Sequence, residues 1–370
     1  MARQYLDEIF NSVKIAEVEK FLRSGRLGAF YTDFRKKASE TENPYRPGNF
    51  GSRNANFLSR SIKFDKSLKS PDPVISRTAQ VGMYLTPAGK FGTCDACRHK
   101  TQACGAACLH DAGFQDVGTQ IARTKAIEEN PVESAAAIYS ELQSHVIKSE
   151  REGFLPSARL DATSEIAPYQ HEIGDLLYGG MGGEWQQKHT DGPFKGLHRL
   201  VGSEYAKEHA KGVLLGAEPE IRQPNVRVVP SWSDQTTKAR GEQLMSRGRD
   251  LAVPTTAFGT SGHPKPAPTH MAVQFKGGDL IMPVVDYDEH DVIGLREQTG
   301  SAGLLRAKSP GFRKREPETQ QIALRFLRPQ RGATEEEIKN LSPQTDAPAE
   351  RWIAPTPVSV RPSRRQAFGA

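Results

Sequence analysis

The chain has 370 residues, and 50 lysines and arginines against 44 aspartates and glutamates give it a net charge of +6. This length suits one large domain with additions, or two domains. The basic excess favours an acidic partner, of which nucleic acid is the first candidate. The alternative is that the excess charge only keeps the protein soluble. No run approaches the about 18 apolar residues of a membrane span, and the acidic start does not suit a signal peptide. We therefore expect a cytoplasmic protein with no membrane partner.

Residues 1–70 are expected to form an N-terminal extension. Apolar residues recur at helical spacing in LDEIFNSVKIAEVEKFL, which predicts an amphipathic helix. The polar segment KKASETENPYRPGNFGSRNANFLSRS follows and is rich in Pro, Gly and Asn. This composition is typical of a solvated linker, and the alternative is a basic arm that contacts phosphates.

Residues 71–328 are expected to form an α/β core. Asn130, Pro131 and Glu133 give the start signature of a helix that Gly153 ends, and a strand-like SARLDAT follows. Further strands are predicted for NVRVVPSWS, DLAVPTTAF, MAVQF and DLIMPVV, with a helix at TTKARGEQLMSRG. Because strands alternate with helices, we expect mainly parallel strands with functional residues at their carboxyl ends.

Residues 329–370 are rich in proline and poor in large apolar residues. This composition predicts a disordered C-terminal tail, with one short helix near ATEEEIKNL.

All the cysteines lie in one short loop, residues 92–113, with the spacing C-x2-C-x6-C-x3-C. In a reducing cytoplasm two close cysteine pairs favour a bound metal over disulfides or free thiols. Four thiolates accept either zinc or an iron–sulfur cluster, and the spacing does not separate the two. The usual radical-SAM motif is excluded, because Asp111 stands where its last cysteine would be. The predicted ligands are Cys94, Cys97, Cys104 and Cys108.

Polar residues follow the predicted strand SARLDAT. Asp161 and Glu165 are candidates for acid–base catalysis, with Arg159, Thr163 and Ser164 beside them to hold a polar substrate. The alternative is an Asp/Ser/Thr cap before the segment that follows.

Two more strand ends are candidate substrate sites. Asp286 and Asp288 follow an apolar strand and, with Glu289 and His290, resemble a hard-cation site; the alternative is a solvated acidic turn. Ser231 and Ser233 end NVRVVPSWS, where a polar strand end is favoured over a serine nucleophile, since no base is visible.

A series of blocks runs in order over roughly residues 82–297: MYLTPAGKFG, CRHKTQACGAACLHDAG, QIARTKAIEENP, SARLDATSEI, SWS and MAVQF…IMPVVDYDEHDVIGLR. This series resembles the phage gene product 88 family. The chain departs from the family pattern at Asp161, Glu165 and Tyr287. The resemblance implies a bacteriophage protein of the host cytoplasm with a barrel-like α/β core, and it supplies no reaction.

Three functions fit these observations. The first is an enzyme with a cysteine-held metal or iron–sulfur centre that acts on nucleic acid or a nucleotide. The second is a zinc-stabilised DNA-binding protein of phage replication. The third is a transglycosylase-like barrel that exchanges DNA bases.

Overall fold

The computed structural model describes residues 6–44, 46–60, 67–86, 101, 116–163, 166–204, 221–260, 263–289, 298–306 and 330–341, with residues 318, 321, 324 and 327. Within these residues, α-helices and β-strands form a mixed α/β fold. The helices are α1 (Leu6–Asn11), α2 (Ile15–Arg23), α3 (Leu27–Glu40), α4 (Val117–Glu129), α5 (Pro131–Arg151), α6 (Glu172–Gly179), α7 (Lys238–Ser246) and α8 (Glu335–Lys339). The strands are β1 (Leu58–Arg60), β2 (Thr78–Met83), β3 (Leu155–Arg159), β4 (Val201–Glu204), β5 (Val226–Val228), β6 (Leu251–Thr255), β7 (Gly259–Thr260), β8 (His263–Pro264), β9 (His270–Phe275), β10 (Gly278–Asp286), β11 (Ala302–Arg306) and β12 (Arg331–Gly332).

Two five-stranded sheets carry the fold, in the orders β1-β2-β3-β4-β5 and β12-β9-β10-β11-β6. A parallel bridge between Ser231 and Ala252 links β5 to β6, so the two sheets continue into one curled half-barrel. Strands β2 to β6, β11 and β10 run parallel, whereas β1, β9 and β12 pair antiparallel with their neighbours. The predicted α/β fold with mainly parallel strands is confirmed. Among the described strands no pairing joins β1 to β12, so the expected barrel is observed as a half-barrel.

The helices cover one face of this sheet. One apolar cluster joins Ile138 of α5 to the sheet. It contains Ala158 of β3, Leu160 directly after β3, and Val226 of β5. In the other half, Leu244 of α7 packs in a cluster with side chains of β6, β9, β10 and β11. Because neighbouring residues of a strand point to opposite faces, alternate residues of these strands lie on the face away from the helices. We call that face the inner face.

The long helix α5 begins and ends as the sequence predicts. Asn130 occupies the N-cap position and Pro131 the first helical position, although the Asn130 side chain makes no capping bond. Gly153 follows the helix with φ +76°, and the Phe154 N–H donates to the Ser149 carbonyl at 2.8 Å. A left-handed residue after a helix favours glycine, which explains why this stop signal is visible in sequence.

The N-terminal segment differs from its prediction. The predicted amphipathic helix is two helices, α1 and α2, and an unpredicted helix α3 follows. The segment expected to be a solvated linker or arm contributes Ala38, Ala55 and Phe57 to the core, each at most 3% exposed. The rings of Phe34 and Phe57 stack with centroids 4.7 Å apart. The linker prediction is wrong for these residues, because sparse apolar side chains between polar ones are buried by tertiary packing. The boundary at residue 70 stays a prediction, and one core cluster spans both sides of it.

The C-terminal region also begins with ordered structure. Strand β12 pairs with β9, and Gln330 is fully buried with its Oε1 accepting the Gln274 N–H at 2.9 Å. The short helix near ATEEEIKNL is confirmed as α8, which starts with a capping box between Thr334 and Glu337. The strand β12 at the start of this region is an addition that the sequence does not predict. Residues 342–370 lie outside the described part, where disorder stays a prediction. No helix of the described ranges is long and apolar enough to cross a membrane.

A close backbone contact tests the packing of the N-terminal segment. A Cβ at Gly118 of α4 would lie 2.5 Å from the Gly51 nitrogen and from the Thr41 carbonyl oxygen. We expect Gly118→Ala to lower the free energy of unfolding by about 1–3 kcal/mol, since backbone atoms cannot easily give way. Gly28 of α3 has nothing within 4 Å of its would-be Cβ. The control Gly28→Ala should raise stability by about 0.5–1 kcal/mol. Urea denaturation measures both, and equal stability of Gly118→Ala and the parent protein would contradict this packing.

Candidate functional site

Polar residues collect where the parallel strands end, at what we call the carboxyl edge. Asp161 and Thr163 follow β3, Ser231 and Ser233 follow β5, and Asp286 ends β10. The sequence-predicted residues therefore share one edge of the sheet but sit on different strands. Some predicted residues lie outside the described part of the chain: Ser164, Glu165, His290, Cys94, Cys97, Cys104 and Cys108.

Two buried carboxylates hold the backbone at the end of β3. Glu204, at the end of β4, accepts the N–H groups of Leu160 at 2.9 Å and Asp161 at 2.8 Å. Asp161 in turn accepts the Ile166 N–H on Oδ1 at 3.0 Å and the Ala167 N–H on Oδ2 at 3.1 Å. Both acids are 1% exposed. These bonds match the capping alternative for Asp161, and its acid–base role stays a prediction.

Glu204 is a site residue that the sequence reasoning missed. It is the last residue of β4, and its acceptor bonds reach 43 and 44 positions back along the chain. The sequence contains one signal for it, an acid directly after Val201-Gly-Ser, and Asp161 follows its strand in the same way. Nothing local in the sequence identifies which backbone groups such an acid accepts.

The end of β2 leads towards the cysteine segment. The Thr163 hydroxyl donates to the Leu85 carbonyl at 2.7 Å, which ties the end of β3 to the end of β2. The Thr86 N–H donates to Thr124 Oγ1 of α4 at 3.2 Å. The chain returns at Asp116, whose carboxylate caps α4 by accepting the Thr119 N–H. The cysteine-bearing segment is thus attached at the carboxyl edge on one side and at the start of α4 on the other.

Ser233 shapes a turn after β5. Its Oγ accepts the Gln235 N–H at 3.1 Å, and its own N–H donates to Thr236 Oγ1 at 3.3 Å. Ser231 is buried where the two sheets join, in the bridge to Ala252. These contacts favour the polar strand end that the sequence suggested over a nucleophile.

The acidic strand end of β10 is neutralised by a buried arginine. Arg306 Nη1 donates to Asp286 Oδ1 at 2.8 Å and lies 3.4 Å from Asp288 Oδ2, and the Arg306 side chain is 3% exposed. Arg306 also donates to the carbonyls of Phe258 and Lys265. The Arg306 guanidinium therefore lies where the hard-cation interpretation would place a metal ion. In the described part of the chain, no group of three His, Cys, Asp or Glu residues could hold a metal ion.

Tyr287 fills the inner face in this half of the sheet. Its hydroxyl donates to Asp250 Oδ2 at 3.0 Å, and its ring occupies the space that a Cβ at Gly303 of β11 would take. Val229, Ala252 and Val285 pack in the same buried cluster. The inner face at β6, β10 and β11 is therefore apolar and closed.

Comparisons with models of known families, with curated proteins and with solved structures found no match. The resemblance to the gene product 88 family, the metal or iron–sulfur centre and the phage origin therefore stay predictions.

The ion pairs of Arg306 with Asp286 and Asp288 predict how a substitution at Arg306 changes stability. Arg306→Gln should lower the free energy of unfolding by about 1–3 kcal/mol, because it leaves two partly buried carboxylates, 17% and 16% exposed, without their cation. Arg331, which is 46% exposed and pairs with Glu337, is the control. Arg331→Gln should change stability by about 1 kcal/mol or less. Thermal unfolding with and without Mg²⁺ or Ca²⁺ measures both effects. A rise in melting temperature with either ion, abolished by Asp286→Asn, would restore the cation-site interpretation.

The two acceptor bonds of Asp161 predict the effect of a substitution on stability. In Asp161→Asn an amide NH₂ must face either the Ile166 or the Ala167 N–H, so one buried donor loses its acceptor. We expect a loss of about 1–3 kcal/mol in stability, measured by urea denaturation. An Asp161→Asn protein as stable as the parent would mean that these two bonds do not shape the turn.

Proposed function

We propose that this chain is an enzyme that acts on nucleic acid or a nucleotide at the carboxyl edge, with a metal or iron–sulfur centre held by its four cysteines. The observation that carries the proposal is the arrangement of the parallel strands. In folds of this kind, ligands bind at the carboxyl ends of the strands. Here those ends carry the carboxylates of Asp161, Glu204 and Asp286, and the end of β2 leads into the cysteine segment.

The described contacts divide the predicted site residues into two groups. Asp161, Thr163, Ser233, Asp286 and Asp288 bond to neighbouring backbone or to Arg306, so we assign them to shaping the edge. In the sequence, Ser164 and Glu165 stand between Asp161 and Ile166, whose N–H group Asp161 accepts. We therefore propose Glu165 as the acid–base group, with Arg159 and Ser164 as substrate contacts.

The cysteines fit the proposed centre through their chemistry. Four thiolates satisfy either tetrahedral zinc or a cubane iron–sulfur cluster. A cluster would supply electron transfer, whereas zinc would stabilise the loop or activate water. With the family resemblance, we extend the proposal to a phage protein that works in the host cytoplasm.

A zinc-stabilised DNA-binding protein is the second candidate. One observation favours it: the carboxylate oxygens of Asp161 and Glu204 already accept backbone N–H groups. Acids that accept backbone N–H groups in this way serve the fold rather than a reaction.

Metal analysis of protein purified without oxygen is the test of the centre. We expect either about four iron atoms per chain with visible absorbance, or about one zinc atom and no colour. Replacing Cys94 and Cys104 by serine should remove the metal. Metal-free parent protein would contradict the proposed centre.

Incubation with DNA, RNA and nucleotides, followed by mass spectrometry of the products, tests the enzyme proposal. We expect a mass change with one of these substrates that Glu165→Gln abolishes. The control is Glu172→Gln, an acid of α6 that is 41% exposed and pairs with Lys14. Binding without any mass change would contradict the enzyme and support the DNA-binding candidate.

A further inference from the structure

The chain between α3 and β1 holds an aromatic ring out to solvent. A backbone bridge joins Glu42 to Phe50, and the Asn43 N–H donates to the Asn49 carbonyl at 2.7 Å, so these pairs close the base of a loop. The Phe50 side chain is 54% exposed. In the described part of the chain it is the one aromatic residue among the large apolar side chains that are exposed. A ring on an ordered backbone is thus available to a partner.

A tight turn after Phe50 presents an arginine. The Ala55 N–H donates to the Ser52 carbonyl at 3.2 Å, which places Arg53 and Asn54 at the tip of the turn. Arg53 stands three positions after Phe50, so their Cα atoms lie no more than about 10 Å apart. The Arg53 side chain is exposed. A positive charge therefore lies within reach of any group that contacts the Phe50 ring.

This turn lies against the second half of helix α3. A Cβ at Gly51 would collide with the Ala38 carbonyl oxygen, and Arg35 Nε donates to the Ala55 carbonyl at 3.2 Å. The chain from Gly51 to Ala55 therefore runs back along α3, from the level of Ala38 to that of Arg35. Arg53 lies on this stretch, so the cations of α3 and Arg53 belong to one surface.

Three exposed cations of this surface have no carboxylate partner in the part of the chain that the structure describes: Arg35, Lys36 and Arg53. Arg35 donates only to neutral oxygens, the Ala55 carbonyl and Asn56 Oδ1, so its charge is not compensated. Lys36 and Arg53 make no ion pair or side-chain hydrogen bond within the described residues. By contrast, the next lysine of α3, Lys37, pairs with an acid at 3.2 Å. We call Arg35, Lys36, Phe50 and Arg53 the Phe50 surface.

The chemistry of the Phe50 surface fits single-stranded nucleic acid. Proteins hold single strands by stacking bases on exposed aromatic rings while cations attract the backbone phosphates. The bases of a duplex stack on one another, so a duplex offers no base face to the Phe50 ring. Uncompensated cations beside one exposed ring therefore favour a single strand over a duplex.

The Phe50 surface lies beside the point where the cysteine segment rejoins the core. The Ser52 N–H donates to Thr119 Oγ1 of α4 at 2.8 Å, and the Thr119 hydroxyl donates to Asp116 Oδ2 at 2.6 Å. Asp116 caps α4 and follows the cysteine-bearing segment closely in the sequence. A strand held on the Phe50 surface therefore lies near the end of the segment that carries the proposed centre.

We propose that single-stranded nucleic acid docks on the Phe50 surface, with a base stacked on Phe50 and the backbone phosphates held by Lys36, Arg53 and Arg35. This inference rests on the proposed function and narrows its partner to a single strand, rather than a duplex or a free nucleotide. It also gives a role to the basic segment after α3, which the carboxyl edge does not use.

Fluorescence anisotropy with labelled single-stranded 12-mers of DNA and RNA, at several salt concentrations, tests the surface. Lys36→Ala/Arg53→Ala should weaken binding about tenfold and reduce the salt slope by about 1.4, since each lost phosphate contact removes about 0.7. Phe50→Ala should weaken binding about fivefold or more and leave the salt slope unchanged, because it removes stacking and no charge.

Each variant has a matched control. Arg23→Ala/Arg331→Ala removes the same charge from exposed arginines that pair with Glu19 and Glu337, and should change affinity by less than about twofold. Ile147→Ala truncates an apolar side chain of α5 that is 58% exposed, and should leave affinity unchanged. Circular dichroism and urea midpoints establish that every variant is folded.

The outcomes separate the two proposals. A parent protein that binds the 12-mers, with the variants of the Phe50 surface equal to it, would overturn the surface and leave the proposed function standing. Tighter binding of a 12-base-pair duplex, with Phe50→Ala equal to the parent, would overturn the single-strand assignment. Binding of the 12-mers that depends on Lys36, Phe50 and Arg53, with no mass change in any substrate, supports the surface and overturns the enzyme. A parent protein that neither binds nor converts any of these probes overturns both.

Discussion

The end of strand β3 depends on two buried carboxylates that accept backbone N–H groups. Where β3 leaves the sheet, the N–H groups of Leu160 and Asp161 lose their strand partners, and Glu204 accepts both. Asp161 then accepts the N–H groups of Ile166 and Ala167. A buried N–H without an acceptor is costly, so these bonds fix where the sheet ends and where the following chain turns. The position of the predicted site residues near Asp161 follows from this arrangement.

The two halves of the half-barrel fill the inner face differently. At β6, β10 and β11 the Tyr287 ring and its apolar neighbours fill it, and the nearby acids are neutralised by Arg306. In the other half, Phe194 and Leu197 from the segment between α6 and β4 pack against Leu155 of β3 on the same face. The ring at the end of a strand closes one half, and a connecting segment closes the other.

The sequence predicts those features whose causes are local. Pro131 and Gly153 mark the ends of α5 because helix caps depend on residues within a turn of the boundary. The burial of the segment before β1 is not visible in the sequence, because polar residues surround Phe57, which stacks on Phe34 of α3 and lies in the core cluster.

Long-range partners explain the remaining errors at the site. Asp286 and Asp288 have the spacing of a cation site, but their cation is Arg306, 18 to 20 residues further along. The Asp161 cap is one of the alternatives that the sequence offers, since its acceptor bonds are local, whereas the bonds of Glu204 require knowledge of strand order and register. Pairing across strands is set by tertiary structure, and no local pattern contains it.

Hydrogen–deuterium exchange of Glu204→Gln beside the parent protein tests the central claim that buried carboxylates fix the end of β3. The account predicts faster exchange in the variant for peptides that cover Leu160 and Asp161, because an amide NH₂ replaces one of the two acceptor oxygens, and unchanged exchange for peptides that cover β9, β10 and β12. Equal exchange of Leu160 and Asp161 in the two proteins would contradict it.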